Sequence, residues 1–281
     1  MIERELKYGH TTYPTWDFDS MSEIATFIES HKDYKEYALT QSRCLCEEPD
    51  FYGVTSFDEI LKRLRYGDEG MTMQYLNNLK EDKDGDFTND SIHMDIEGFA
   101  YDMGAVVSGE PECCVNSDAP SIKPHLNIYI DTGYRGVVSP EIIANRGVAI
   151  YQLIFNLISK GYILDIWIVH FINCYGLKES KYCQRVKLST EYLTISQLAF
   201  AGKCEFFRVV TWLLTAMQGG SKRYTGGGRS MPTSDAVCEM QKDGLFIPSG
   251  YTDDRFNSCS KDEALRYVTE IYNKYMEEKC V

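Results

Sequence analysis

Two apolar runs dominate the hydrophobic pattern of the chain. Leu126–Ile130 is short and rich in β-branched residues, and Tyr162–Ile172 carries apolar residues at both alternating positions. A strand with two apolar faces is typical of a parallel sheet that is covered on both sides. The pattern therefore predicts two buried parallel strands, of which the second is central in its sheet, with Ile166 and Ile168 buried and parallel neighbours on both sides.

The segment between these runs has the signals of one helix. Ser139 stands as an N-cap, Pro140 follows at the first helical position, and Gly161 is placed to end the helix. Apolar residues then recur at helical spacing, at Ile143, Gly147, Ile150, Ile154 and Leu157. A strand–helix–strand crossover of this kind is nearly always right-handed. We therefore predict an α/β fold with a mostly parallel sheet and helices on both faces.

The C-terminal part continues this pattern. Tyr182–Leu188 alternates apolar with basic residues, which predicts a strand at a sheet edge. The apolar segment LTISQLAFAGKCEFFRVVTWLLTAM predicts two buried helices separated at Gly202, and a last strand is expected near Gly244–Ile247. A final amphipathic helix is predicted over Ser260–Glu278.

The N-terminal part has a different pattern. Residues 1–20 show no clear period, and helices are predicted from Met21 and from Phe57, the second ending at Gly67. A polar stretch between Pro120 and Pro124 suggests a boundary. We therefore predict a mainly helical region over residues 1–120 and an α/β domain over residues 121–281.

Composition and charge limit where in the cell the protein is expected and which classes of partner it is expected to bind. The chain has 281 residues and a formal net charge of -13, which argues against binding nucleic acid independently of sequence. No apolar run approaches the roughly 20 residues of a membrane span, and the first residues lack the apolar core of a signal peptide. We therefore expect a cytoplasmic protein without a membrane partner, and reduced thiols for its 10 cysteines.

Two apparent metal sites lack the required spacing. Asp82, Asp84 and Asp86 alternate as in a calcium loop, but Phe87 and His93 occupy the positions that need glycine and glutamate. The close cysteine pairs, Cys44 with Cys46 and Cys113 with Cys114, do not have zinc-site spacing. No metal and no cofactor is expected from these motifs.

The leading candidate site is Asp131-Thr132-Gly133, where the first core strand ends. Ligands usually bind at the carboxyl ends of strands in open parallel sheets. The alternative is that Asp131 only caps the turn. Asp165 is a second candidate, because a polar residue within the long central strand needs a partner if it is buried. His125 and His170 are interpreted as packed histidines.

The order of elements from His125 onward, with a strand that ends in Asp131, resembles the von Willebrand factor A domain over about 150 residues. In that family an Asp-x-Ser-x-Ser motif holds a divalent cation that binds a carboxylate of the partner. Asp131 matches the aspartate, but Gly133 and Arg135 occupy the two serine positions. The resemblance therefore implies the scaffold without its usual metal.

Other segments resemble an uncharacterised family of tailed-phage proteins. They are FYGVTSFDEILKRLRYG, IEGFAYDMGAVVSGEPECC, NRGVAIYQLIFNLISKGYILDI and LAFAGKCEFFRVVTWLL. The resemblance implies a viral origin, and it implies no reaction.

The glycine-rich loop over Gly219–Ser230 is a candidate phosphate site. Lys222, Arg223 and Arg229 lie there among five glycines, so cations and exposed amide groups can surround a phosphate. The order of residues is not that of a P-loop. The alternative is an ordinary flexible connection.

These observations favour a phage-encoded, non-enzymatic protein-interaction factor in the cytoplasm of the infected cell. It would bind a host or viral protein, as an inhibitor of a host defence or nucleic-acid enzyme or as a virion assembly component, and it is compatible with a homo-oligomer. The alternative is a nucleotide- or nucleic-acid-handling enzyme that uses Asp131, Asp165 and the glycine-rich loop.

Overall fold

A computed structural model describes residues 1–31, 45–68, 92–95, 100–101, 114–117, 124–174, 180–189, 195–218, 228–229 and 232–279. The strands are β1 (Ile2–Tyr8), β2 (Thr11–Phe18), β3 (Ile92–Asp95), β4 (Ala100–Tyr101), β5 (Cys114–Ser117), β6 (His125–Asp131), β7 (Ile163–Cys174), β8 (Ser180–Ser189), β9 (Gly228–Arg229) and β10 (Leu245–Ile247). The α-helices are α1 (Met21–Ser30), α2 (Pro49–Tyr52), α3 (Phe57–Tyr66), α4 (Pro140–Ser159), α5 (Ile195–Ala201), α6 (Thr211–Gln218), α7 (Ser234–Asp243) and α8 (Lys261–Lys279). A π-helical turn, Phe206–Val210, leads directly into α6, and a 3-10 turn spans Asp254–Asn257.

Six strands form the main sheet in the order β1-β2-β8-β7-β6-β10, and the short strand β9 pairs with the carboxyl end of β7. The β2–β8, β7–β6 and β6–β10 pairs are parallel, while β1–β2 and β8–β7 are antiparallel. The fold is therefore α/β with a mostly parallel mixed sheet. A separate small sheet has the order β3-β5-β4.

The predicted crossover between β6 and β7 is confirmed. The Ser139 side chain accepts a hydrogen bond from the Ile142 amide at 3.4 Å, and Pro140 is the first residue of α4. Gly161 has a φ of 82°, in the left-handed region that side chains disfavour, and the chain turns there into β7. Asp131 lies beside Val169 in the parallel β6–β7 register.

The prediction for the long strand was correct in burial and wrong in one neighbour. Ile166 and Ile168 in β7 are buried, as expected. However, β7 is parallel only to β6 and pairs antiparallel with β8. The strand with parallel neighbours on both sides is β6. Two-sided burial follows from layers above and below a strand and does not reveal the direction of its neighbours.

Helices cover both faces of the sheet unequally. One face packs against α1, α3, α4, α5, α6 and α8, and forms the larger hydrophobic core. On the other face, Ala236 and Met240 of α7 contact a smaller cluster that includes Tyr129, Val169 and Phe171. Gly202 separates α5 from the helical segment that follows, as the sequence predicted.

The predicted mainly helical character of residues 1–120 is not confirmed in their described part, which opens with the hairpin of β1 and β2 before α1. These strands escaped prediction because Thr12, Pro14 and Thr15 give β2 no apolar alternation. Parallel pairing of β2 with β8 also places β8 inside the sheet, so the predicted edge position of β8 was wrong. The sheet thus contains strands from before and after residue 120. The division of the chain into two domains stays a prediction.

Helix α4 is the one described helix that is long and apolar enough to cross a membrane. Its most apolar window is 61% buried inside the fold. Since it packs under the sheet between β6 and β7, its apolar character is accounted for by the core.

Candidate functional site

Asp131 lies at the carboxyl end of β6 with no solvent exposure. Its Oδ2 accepts hydrogen bonds from Ser249 Oγ at 2.6 Å and from Thr252 Oγ1 at 3.2 Å, and its Oδ1 accepts one from the Gly133 amide at 3.3 Å. Burial raises the pKa of the Asp131 carboxyl, and these donors partly oppose that rise. Asp131 therefore ties the end of β6 to the segment after β10.

Thr132 and His170 join the carboxyl end of β6 to the middle of β7. Thr132 Oγ1 lies 3.3 Å from the Val169 carbonyl oxygen and 3.1 Å from His170 Nδ1. Burial lowers the pKa of His170 to about 3, so its ring is neutral at physiological pH. This pair holds the carboxyl end of β6 against β7. The burial of His170 agrees with its interpretation as a packed histidine.

Arg146 extends from α4 to the carboxyl ends of β6 and β10, and its side chain is 4% exposed. Its Nη2 donates to the Asp131 carbonyl at 2.8 Å and to the Ile247 carbonyl at 3.1 Å. The guanidinium also lies 5.7 Å from the Tyr134 ring centre and 5.4 Å from that of Phe256. One buried arginine thus connects β6, β10 and the 3-10 turn.

Two other predicted site residues lie apart from Asp131. Arg135 is exposed and pairs with Asp254 at 2.7 Å. Asp165 pairs with Lys187 at 3.0 Å and lies 3.3 Å from His125. The His125 side chain is 54% exposed, so its interpretation as a packed histidine was wrong. Along β7 it precedes Val169, the neighbour of Asp131, by four residues, or roughly 13 Å at the usual rise of a strand. The structure therefore does not bring Asp165 to the Asp131 site.

Most of the glycine-rich loop lies outside the described residues. Lys222 and Arg223 lie outside the described residues, and so do the aspartates of the calcium-like loop at 82–86. Of Arg229 only the backbone is described, and it pairs in β9 with Asn173 at the carboxyl end of β7. Phosphate binding at this loop stays a prediction.

A divalent cation does not fit the Asp131 site as it is arranged. Both carboxylate oxygens already accept hydrogen bonds, and the Arg135 side chain is engaged with Asp254. Within the described ranges no group of three or more His, Cys, Asp or Glu side chains is placed to hold a metal ion. Where the Asp-x-Ser-x-Ser motif uses its aspartate for a cation, Asp131 instead accepts hydrogen bonds from the hydroxyls of Ser249 and Thr252.

Sequence reasoning missed the hydroxyl partners of Asp131 and both buried arginines, Arg146 and Arg208. Ser249 and Thr252 follow β10, and the only signal in the sequence was the Pro248-Ser249-Gly250 turn at that strand end. Arg208 lies within the π-helical turn and is 1% exposed. It stands in an apolar run, FFRVV, where helical periodicity gave no reason to single it out.

Arg208 holds three backbone carbonyls and, among the described residues, pairs with no carboxylate. Nη1 donates to Phe51 O at 2.5 Å, and Nη2 donates to Gly136 O at 3.3 Å and to Val138 O. Its guanidinium also stacks on the Phe51 ring at 4.0 Å. Burial lowers the pKa of Arg208. A π-helical turn often marks a functional position, and here it fixes α2 and the loop after β6 together.

The two carbonyls of that loop flank Val137, which is 92% exposed. Beside Arg208, the rings of Phe51 and Tyr52 are half-buried and contact Trp212 at centroid distances of 6.0 and 6.4 Å. We call Phe51, Tyr52, Val137 and Trp212 the carboxyl-end surface, because they lie around the loop that leaves β6. It presents aliphatic and aromatic groups on segments that the Arg208 hydrogen bonds hold together.

An ion network anchors α3 next to this surface. Arg63 contacts Glu205 at 2.8 Å and Asp68 at 3.2 Å, and Lys203 contacts Asp68 at 2.8 Å. Glu205 directly precedes the π-helical turn. The network therefore fixes the start of that turn from the side of α3.

Comparison with known proteins gives one match. The model of a family described as a domain of unknown function, DUF7192, matches residues 8–278. The chain belongs to the DUF7192 family. No curated protein and no solved structure matches it.

The DUF7192 match runs from the end of β1 to the end of α8. It therefore includes the whole carboxyl end of the sheet, with Asp131, Arg146, Arg208 and Val137. Because the family description names no activity, an account of function depends on the geometry of these residues.

Proposed function

We propose that the protein is a non-enzymatic interaction factor that binds a host or viral protein through the carboxyl-end surface. One observation carries the proposal. Arg208 holds the carbonyls of Gly136 and Val138, and the Val137 side chain between them is exposed beside half-buried aromatic rings.

The composition of the surface suits a protein partner. Aromatic residues and arginine are enriched at the centres of protein interfaces, where large rings fill pockets of the partner. Phe51, Tyr52 and Trp212 supply such rings. The hydrogen bonds from Arg208 hold the loop before a partner arrives, which reduces the entropy lost on binding.

A von Willebrand A-like core is part of this proposal. The support is the parallel crossover from β6 through α4 to β7, with an aspartate at the end of β6. In the resembled family this end of the sheet binds the partner through a cation. Here the aspartate bonds to Ser249 and Thr252, and binding would depend on side-chain packing instead.

The enzymatic alternative is less well supported by the geometry. A substrate cannot reach the Asp131 carboxylate without displacing Ser249 and Thr252, and Asp165 faces another part of the sheet. The proposed phage origin, cytoplasmic location and role as a defence inhibitor or assembly component come from the sequence resemblance and composition.

Capture of a partner by matched variants tests the proposal. Val137→Glu places a charge on the carboxyl-end surface, and Ile163→Glu does the same at the opposite end of β7, where Ile163 is 44% exposed. In pull-downs from host lysate followed by mass photometry, we expect Val137→Glu to lose a complex that the wild type and Ile163→Glu retain. Equal capture by both variants would refute this surface, and a co-purified nucleotide would favour the enzyme.

A further inference from the structure

A small cavity lies between α4, the ends of β6 and β7, and the segment from α5 to the π-helical turn. Thr132, Tyr134, Arg146 and Lys203 supply its polar lining, and Ile150, Ile168 and Phe207 are among its apolar residues. The space open to the centres of water-sized molecules is about 20 Å³. A single water needs roughly 10–15 Å³ by this measure, so the cavity has room for one or two water molecules or for an ion of similar size.

The buried polar groups on the cavity wall have hydrogen atoms to donate. Arg146 Nε is buried and has no hydrogen-bond partner within the described part of the chain, and the buried Tyr134 hydroxyl, which the Arg146 guanidinium approaches, has no acceptor there for its own hydrogen. The Thr132 hydroxyl is already bonded to the Val169 carbonyl and to His170. A buried donor without an acceptor costs about 1–3 kcal/mol. The wall therefore favours a guest that accepts hydrogen bonds.

The charges around the cavity also favour an anion. The Arg146 guanidinium donates to the Asp131 and Ile247 carbonyl oxygens and also approaches the Tyr134 hydroxyl, and no salt bridge joins it to a carboxylate of the described residues. Lys203 adds a second cation whose charge is shared with Asp68 and Glu205. The nearby Asp131 carboxylate bonds to Ser249, Thr252 and the Gly133 amide. A single negative charge in the cavity would be paired with Arg146, whereas a phosphate is too large for the space.

We propose that this cavity is a binding site for a small monovalent anion, of the size of chloride or formate. The anion accepts hydrogen bonds from Arg146 Nε and the Tyr134 hydroxyl, and it stabilises the joint between α4 and the carboxyl end of the sheet. The proposal is independent of the protein-binding function. A free ion and a carboxylate from a small organic acid share this chemistry, and separate titrations distinguish them.

Thermal unfolding of the full chain in different sodium salts at one ionic strength tests the site. We expect chloride or formate to raise the melting temperature in a saturable manner relative to methanesulfonate, whose anion is too large. Broadening of the chloride NMR signal gives a direct measure of chloride binding. Saturation with either anion supports the site and identifies which of the two it prefers.

Two tyrosine variants make the test specific. Tyr134→Phe removes one donor while keeping the ring, so we expect it to weaken anion binding roughly two- to tenfold. Tyr13→Phe makes the same change in the buried cluster on the other face of the sheet and should leave the affinity unchanged. Identical melting curves in all salts, or unchanged affinity in Tyr134→Phe, would show that the cavity holds only water and would overturn the proposal.

Discussion

The role of Arg208 leads to a prediction whose size follows from its contacts. Methionine at this position keeps a long apolar side chain but removes all donors to the carbonyls of Phe51, Gly136 and Val138. Each buried carbonyl left unsatisfied costs about 1–3 kcal/mol. Loss of a buried cation also removes a desolvation penalty. Only the bond to Val138 is buried, and those to Phe51 and Gly136 are partly buried, so we expect Arg208→Met to lower the free energy of unfolding by about 2 kcal/mol.

Urea unfolding measures this loss, and Arg135→Met is the matched control. Arg135 is an exposed arginine on the same loop and pairs with Asp254 at the surface. Such a pair contributes about 0–1 kcal/mol, so the control should remain near wild type. Amide exchange over residues 136–138 should accelerate only in Arg208→Met. If both variants differ from wild type by less than about 1 kcal/mol, water satisfies the three carbonyls and Arg208 does not brace the surface.

Three further predictions concern the core and the Asp131 site. Ile168→Ala should lower the free energy of unfolding by about 2–5 kcal/mol, because Ile168 is 2% exposed. The control Ile163→Ala should change it by less than about 0.5 kcal/mol, because Ile163 is 44% exposed. Urea unfolding measures both values, and similar losses in the two variants would contradict the burial of β7. Burial raises the pKa of Asp131 above its unfolded value, so the stabilisation present at acidic pH is lost as pH rises through the folded pKa. Wild type should therefore gain stability relative to Asp131→Asn as pH falls, and a pH-independent difference in urea midpoints would refute this. Calorimetry should show Mg²⁺ or Mn²⁺ binding no tighter than about millimolar, since Gly133 and Arg135 replace the serines of the cation motif; micromolar binding that disappears in Asp131→Ala would restore the metal site.

The sequence pattern predicted the elements whose signals are local. Ser139, Pro140 and Gly161 marked the limits of α4, and the glycines at 67 and 202 marked helix ends where the structure has them. It did not predict how strands from distant parts of the chain pair. The parallel pairing of β2 with β8 joins segments about 170 residues apart, and no periodicity within either strand encodes it.

The candidate site was predicted in position but not in composition. Asp131 was found because it ends an apolar strand, yet its partners Ser249 and Thr252 come from the segment after β10. Arg146 and Arg208 lie in apolar helical segments, where each was passed over as part of a helix. Their roles arise from tertiary contacts with carbonyls, for which a single sequence has no signature.

A hydrogen-exchange footprint of the complex with a captured partner shows directly whether the carboxyl-end surface binds that partner. We predict protection at Phe51 and Tyr52, at residues 136–138 and at the start of α6, with little change in α8 or in the amino-terminal half of β7. Protection confined to those latter segments, while the carboxyl-end surface exchanges as in the free protein, would contradict it.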